Sequence, residues 1–241
     1  MTEKLKVLCL INARSGSKGI PNKNTKKLLG VPLIAWSINT ALKSKSFTKV
    51  YVNTDSKKIA DISKKYGAEV PFLRPKKYAT DNSKQIDAIL YFLKKLIKMN
   101  EKFDAVAILQ PTFPLRIVKD IKICIDKMIS TNADTVITLT KINSSTLHTL
   151  YKISSKKKPK SVIRFSKKGT IRQNLSDIYQ RVGCVYLIKK NIILKNKSIY
   201  GNNIQSVLID QNRSFDLDSL FDWNLLVSWL KYNNYLKKLV K

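Results

Sequence analysis

The chain has 241 residues, of which 44% are hydrophobic and 9% aromatic. That is enough apolar side chain for a core and too much for a disordered chain; at about 150 residues per domain it means one large domain, or one with an appendage. Lysine and arginine total 46 against 16 acidic residues, a net charge of +30, which raises a nucleic-acid or anionic-membrane partner.

The predicted elements alternate strand and helix. Lys6–Asn12 reads as a first strand, with the apolar run Val7–Ile11 at its centre. The run is too short for a signal-peptide core. No stretch approaches the roughly 18 apolar residues of a membrane helix, so the chain is expected in the cytoplasm, with no membrane partner. A helix follows over Val31–Ser44, with Pro32 in its first turn. Val50–Asn53 is a strand, Ser56–Tyr66 a helix stopped by Gly67, and Val70–Leu73 a strand. Asp81–Lys98 carries Ile86, Ile89, Leu90, Leu93 and Ile97 at helical spacing. Ala105–Leu109 is an apolar strand, Lys119–Ile129 a helix and Thr135–Thr140 a strand.

From about 143 to 182 the chain is polar, lysine-rich and weakly periodic, which predicts hairpins leaving the main sheet. Strand character returns over Gly183–Ile188 and Gln205–Ile209, and Ser219–Leu239 closes the chain as a helix with Asp218 or Ser219 as N-cap. The pattern predicts one domain over 1–241: an open, mostly parallel α/β sheet with helices on both faces. The segment of about 143–182 is a small insertion serving a dimer contact or an acceptor site.

The basic charge points away from a specific nucleic-acid reader. Only seven of the 46 cations are arginine, the residue that reads phosphate and base edges bidentately. The lysines are spread along the chain. Cys9, Cys124 and Cys184 are far apart, without a Cys-x-x-Cys pair, and read as buried thiols. The single histidine, His148, has no partner motif, which argues against a Ser-His-Asp hydrolase or a His-ligated metal.

The first strand runs into Ala13-Arg14-Ser15-Gly16-Ser17-Lys18-Gly19-Ile20-Pro21-Asn22-Lys23-Asn24. Small residues let backbone amides turn inward around phosphate, and Arg14, Lys18 and Lys23 add cations. The segment is neither a P-loop nor the dinucleotide fingerprint. Near the other end, Asp216 and Asp218 are two apart. In an extended segment they share one face, which suits a magnesium ion or a helix-capping pair; the spacing leaves both open.

In chain order, Ala13–Asn24 resembles the signature loop of the acylneuraminate cytidylyltransferases, including the branch that acts on legionaminic acid. Asn53-Thr54-Asp55, Phe72-Leu73-Arg74-Pro75, Leu109-Gln110-Pro111-Thr112-Phe113-Pro114-Leu115-Arg116, Arg172-Gln173-Asn174-Leu175 and Phe215-Asp216-Leu217-Asp218 resemble further landmarks of that family. The resemblance implies a Rossmann-like nucleotidyltransferase domain and a homodimer. It implies magnesium-dependent transfer of CMP from CTP to the anomeric hydroxyl of a nine-carbon 2-keto sugar acid, with release of pyrophosphate.

By the same resemblance Arg14, Lys23, Asp216 and Asp218 are catalytic, and Asp216 and Asp218 hold the metal. Ala13, Arg14, Ser15, Gly16, Ser17, Lys18, Gly19, Lys23, Asn24, Arg74 and Ser83 contact the nucleotide. Gln110, Arg116, Arg172, Gln173 and Tyr179 face the sugar acid, although Arg116 at a helix start also suits a structural role. The family often has Pro or Leu where this chain has Asn12. Alternatives are transfer to pseudaminic acid or Kdo, or a basic nucleic-acid-binding protein without catalysis.

Overall fold

The computed structural model describes residues 5–142, 150–153, 158–162 and 177–233. His148, Arg172 and Gln173 lie outside them. The elements are β1 (Val7–Asn12), β2 (Lys27–Leu28), β3 (Val31–Pro32), α1 (Leu33–Ser44), β4 (Lys49–Asn53) and α2 (Lys57–Lys65). There follow α3 (Gln85–Lys98), β5 (Ala105–Ile108), α4 (Val118–Thr131), β6 (Thr135–Ile142), β7 (Tyr151–Ile153) and β8 (Pro159–Ser161). The chain continues through β9 (Ile178–Lys189), α5 (Lys190–Asn196), β10 (Ile204–Leu208) and α6 (Leu220–Tyr232). Among the described residues no helix is long and apolar enough to cross a membrane.

Six strands form one sheet in the order β10-β6-β9-β5-β1-β4. β1 runs parallel to β4 and β5, and β10 parallel to β6; β9 is antiparallel to both its neighbours. The strands are apolar on both faces because both faces are covered. Val7, Cys9 and Ile11 pack with α1, α2 and α4. Leu8 and Leu10 point the other way, into a cluster with α3 and α5. Each fully buried Leu or Ile is worth about 1.5–3 kcal/mol, so this two-sided core fixes the sheet. Cys9, Cys124 and Cys184 are buried within it as free thiols. Burial pushes Cys124 up to about 12 and raises the other two as well, so none is a ready nucleophile.

A third cluster joins the glycine loop to the C-terminal helix. Ile20, Leu28, Leu33 and Trp36 pack against Leu217, Trp223, Leu226 and Leu230. Ser219 caps α6: its Oγ accepts from the amide of Asp222 at 3.3 Å, and the Asp222 carboxylate accepts from the amide of Ser219 at 2.7 Å. This reciprocal arrangement sets where the Asp216–Asp218 segment ends.

Several boundaries differ from expectation. Val70–Leu73 is not a strand. Glu69 alone bridges Tyr51; Pro71, which has no N–H, ends the pairing, and Phe72 turns into aromatic contact with Phe92. The helix expected from Asp81 begins at Gln85, because the Asp81 carboxylate pairs with Arg14 and Lys18. Val31 and Pro32 pair with β2 before α1 starts. β9 starts at Ile178 rather than Gly183, so the end of the expected insertion belongs to the main sheet. Within that insertion β7 and β8 form a separate two-stranded ribbon.

Candidate active site

β1, β4 and β5 are parallel and end side by side, at Asn12, Asn53 and Ile108. Clefts in open α/β sheets form at this carboxyl edge. Here the loops after β1 and β5, the start of α3 and the segment before α6 enclose a cleft of about 550 Å³. Arg14, Ser17, Lys18, Gly19, Lys23 and Asn24 line it from the glycine loop, Gln110, Pro111 and Thr112 from the loop after β5, and Asp216 and Asp218 from the segment before α6. A smaller cavity of about 280 Å³ adjoins it, lined by Arg74, Tyr78, Ser83 and the start of α3.

Lys23 sits where the loop meets the acidic segment. Its Nζ donates to the carbonyl of Leu217 at 2.7 Å and to Asp218 Oδ1 at 3.2 Å. The Lys23 side chain is 14% exposed and that of Asp218 77%, so the lysine is held and the carboxylate faces solvent. Asp216 is exposed as well, on the wall of the cleft. Partial desolvation there raises its carboxyl above the usual range, Asp218 adds to the rise, and a hydrogen bond from Thr112 and the charge of Lys23 oppose it. A hard cation between the two carboxylates would relieve their repulsion. Among the described residues no group of three or more His, Cys, Asp or Glu side chains could hold a metal. A carboxylate pair still fits magnesium, which keeps phosphate oxygens and water in its shell.

The glycine loop is braced from outside. Ser15 donates from its amide to Asp55 Oδ1 at 3.0 Å and from Oγ to Asp55 Oδ2 at 2.6 Å. Asn24 Nδ2 donates to the carbonyl of Arg14 at 2.9 Å. Arg14 and Lys18 each reach Asp81 at 2.8 Å, which holds that carboxyl below its ordinary range. Arg74 is buried; its Nη2 lies 3.6 Å from Asp55, and its Nε has no hydrogen-bond partner within the protein.

Three groups of expected site residues are placed away from the cleft or have their amides engaged. Arg116 does not face the cleft. It is 3% exposed and spends its N–H groups on the carbonyls of Cys184, Gln110 and Gly183 and on Ser37 Oγ; it is a structural brace. The amides of Ala13, Ser15 and Ser17 are not free for a ligand, because they donate to the Asn53 carbonyl, to Asp55 and to the Ser15 carbonyl. Tyr179 pairs opposite Lys141 on β9 and lines neither cavity. Several residues of the site carried no expected role: Asn12, Gln85, Pro111 and Thr112 line the cleft, Tyr78 lines the adjoining cavity, and Asp55 anchors the loop. Asp55 stands in a quoted landmark, the one signal that pointed to it.

Comparisons with known proteins agree with this geometry. Residues 8–219 match the model of the cytidylyltransferase family. The chain is 34% identical to a CMP-N,N'-diacetyllegionaminic acid synthase of Legionella pneumophila, over 95% of this chain and 98% of that protein. It is 29% identical to an N-acylneuraminate cytidylyltransferase of Escherichia coli, over 97% of this chain and 54% of that longer protein. Among solved structures, a CMP:2-keto-3-deoxy-manno-octonic acid synthetase complexed with CTP superposes with a TM-score of 0.72 at 14% identity, covering 95% of this chain and 99% of that one. Glycine loop, cleft and sequence match converge: the chain belongs to the cytidylyltransferase family.

Proposed function

We propose that the protein transfers CMP from CTP to the anomeric hydroxyl of a nine-carbon 2-keto sugar acid of the legionaminic or sialic type, releasing pyrophosphate. The observation that carries this reading is the placement of Lys23. It bridges a basic glycine loop and a carboxylate pair across one cleft. Similarity to legionaminic, sialic and pseudaminic acid enzymes over nearly the whole chain supports the acceptor class.

The hydroxyl oxygen attacks the α-phosphorus in line, a new P–O bond forms, and the bond to pyrophosphate breaks. Such a step is accelerated mainly by positioning and by neutralising charge on the leaving group. Arg14, Lys18 and Lys23 face the triphosphate, with the amides of Gly16, Lys18 and Gly19 behind it. The cavity of Arg74 and Ser83 takes the cytosine. Gln110, and Arg172 and Gln173 beyond the described residues, face the sugar acid. Asp216 and Asp218 would hold magnesium, which when bound would neutralise phosphate charge and lower the pKa of the attacking hydroxyl.

The working unit is a homodimer. The β7–β8 ribbon exposes Tyr151 and Ile153, and a two-stranded ribbon is marginal alone in water, so a second copy is its natural cover. Light scattering at micromolar concentration is expected to give twice the chain mass; a monomer would remove this part.

Pyrophosphate release from CTP, with and without magnesium, over legionaminic, sialic, pseudaminic and Kdo acids tests the reading. Release with a legionaminic- or sialic-type acid is expected. Release only with pseudaminic acid or Kdo would move the acceptor, and none with any acid would overturn the activity.

A further inference from the structure

The glycine loop meets a second loop, the turn over residues 79–83 that leads toward α3. Ser83 builds that turn. Its amide donates to the Thr80 carbonyl at 3.2 Å, and its Oγ accepts from the Thr80 amide at 3.2 Å and donates to the Lys77 carbonyl at 2.8 Å. From the turn Asp81 reaches across to the glycine loop. Its Oδ1 lies 2.8 Å from Arg14 Nη2 and its Oδ2 lies 2.8 Å from Lys18 Nζ, so one carboxylate joins two cations. Arg14 Nη1 adds a bond to the Ala79 carbonyl at 3.4 Å. The Asp81 side chain is 44% exposed, so water can solvate it as soon as the cations let go.

These contacts stand at the boundary of the two cavities. Arg14 lines both, Lys18 only the larger and Asp81 only the smaller. On the proposed reading, on which this inference rests, a triphosphate occupies the larger space. Its partners there are the same Arg14 and Lys18 that Asp81 holds. A carboxylate and a phosphate oxygen make the same charge-assisted bonds to arginine and lysine, so the two contest one position. We infer that Asp81 is an internal competitor of the phosphate chain for Arg14 and Lys18, an autoinhibitory contact that an incoming polyphosphate must displace. The fraction of molecules in which the contact is open scales the apparent affinity. Partly exposed ion pairs are each worth only a small factor, so Asp81 sets the affinity by a few-fold rather than by orders of magnitude.

Calorimetry with sodium tripolyphosphate and with CTP tests this on the full-length protein, on Asp81→Asn and on Asp126→Asn. The last removes one negative charge from α4, in a groove shared with Leu5 and Lys45, and controls for net charge. Asp81→Asn is expected to bind both tripolyphosphate and CTP at least threefold more tightly than wild type, and Asp126→Asn to bind both as wild type does. Unchanged tripolyphosphate affinity in Asp81→Asn would overturn the inference, as would an equal gain in Asp126→Asn. Weaker binding of tripolyphosphate by Asp81→Asn, or none, would overturn it in favour of a carboxylate that positions the two cations for their ligand. The two probes also separate this inference from the reading beneath it. A gain for tripolyphosphate, with no CTP binding by any of the three proteins, would uphold the competitor and overturn the assignment of the cleft to CTP. Should Asp81→Asn fail to fold, judged by its thermal melt, Asp81→Ser carries the same comparison.

Discussion

Gly19 lies against the backbone of Asp218 so closely that a β-carbon on it would stand 1.9 Å from the Asp218 carbonyl oxygen. The obstructing atom is backbone, so no side-chain rotation makes room. The contact joins the glycine loop to the acidic segment, beside the point where Lys23 reaches Leu217 and Asp218. Gly19→Ala is therefore expected to push the two apart and lower kcat/KM by at least a hundredfold, about 2.7 kcal/mol of transition-state stabilisation. A pyrophosphate-release assay checks this; activity within threefold of wild type would show that the loop and the acidic segment need not touch.

Lys23 and Asp218 should fail differently. Lys23→Ala removes a charge held between two acceptors and facing the cleft, and its turnover is expected to fall by about three orders of magnitude. Asp218 is mostly exposed and contributes little to packing. Asp218→Asn is expected to fold with an unchanged melting temperature and to lose the magnesium dependence of its turnover. Titrating turnover against magnesium separates the two, and a wild-type magnesium curve in Asp218→Asn would remove the metal role.

The alternation of strand and helix was legible because both faces of the sheet are buried. Val7–Ile11 and Ala105–Ile108 therefore read as unbroken apolar runs. Val70–Leu73 misled for the same reason: Val70 is buried, but burial there comes without a ladder after Pro71. The chemistry-bearing segments were legible as motifs, and their connections were not. Lys23 and Leu217 are 194 positions apart, and Ser15 and Asp55 are 40 apart. Arg116 shows the limit most clearly. Nothing local separates an arginine that meets a ligand from one that ties down carbonyls, because the difference lies in what β9 brings alongside it.

That internal role has a measurable consequence. Arg116 holds three backbone carbonyls and a hydroxyl in a buried site, where an acceptor left unpaired costs about 1–3 kcal/mol. Arg116→Met keeps much of the volume and removes every one of these bonds. It is expected to lose more than about 3 kcal/mol of stability in urea unfolding. A loss below 1 kcal/mol, with a selective rise in KM for the sugar acid, would instead place Arg116 at the acceptor.

Asp55 gives the loop a pH dependence. Burial pushes its carboxyl up, but the hydroxyl and amide of Ser15 and the Arg74 charge outweigh burial, and the pKa lies below the ordinary carboxylate value. A group depressed in the folded state stabilises fully above its unfolded pKa of about 3.9. That contribution disappears as pH falls through the lower folded value. The stability difference between wild type and Asp55→Asn is therefore expected to be constant from about pH 5 to 8 and to shrink below about pH 4. Urea unfolding across that range checks it; a difference independent of pH would mean that shape, not charge, anchors Ser15.

Gly183 controls Gln110 in the way Gly19 controls Asp218, but with a softer neighbour. A β-carbon at Gly183 would stand 1.9 Å from Gln110 Oε1, 2.8 Å from its Cδ and 3.1 Å from its Cβ, the last needing a shift of a few tenths of an ångström. Here the end of a flexible side chain can move aside, so Gly183→Ala is expected to fold with less than about 1.5 kcal/mol of loss. The displaced amide then no longer occupies its place in the cleft. On the proposed reading, in which Gln110 faces the sugar acid, KM for the acid should rise about tenfold, some 1.4 kcal/mol, while CTP affinity stays unchanged. The effect should vanish when Gln110 is already alanine, because Gly183→Ala then has no amide to move. A double-mutant cycle over Gly183→Ala and Gln110→Ala measures that coupling. Additive effects would mean that the glycine acts on β9 itself, and that Gln110 is placed by its backbone bonds, among them those to Gly183 and Arg116.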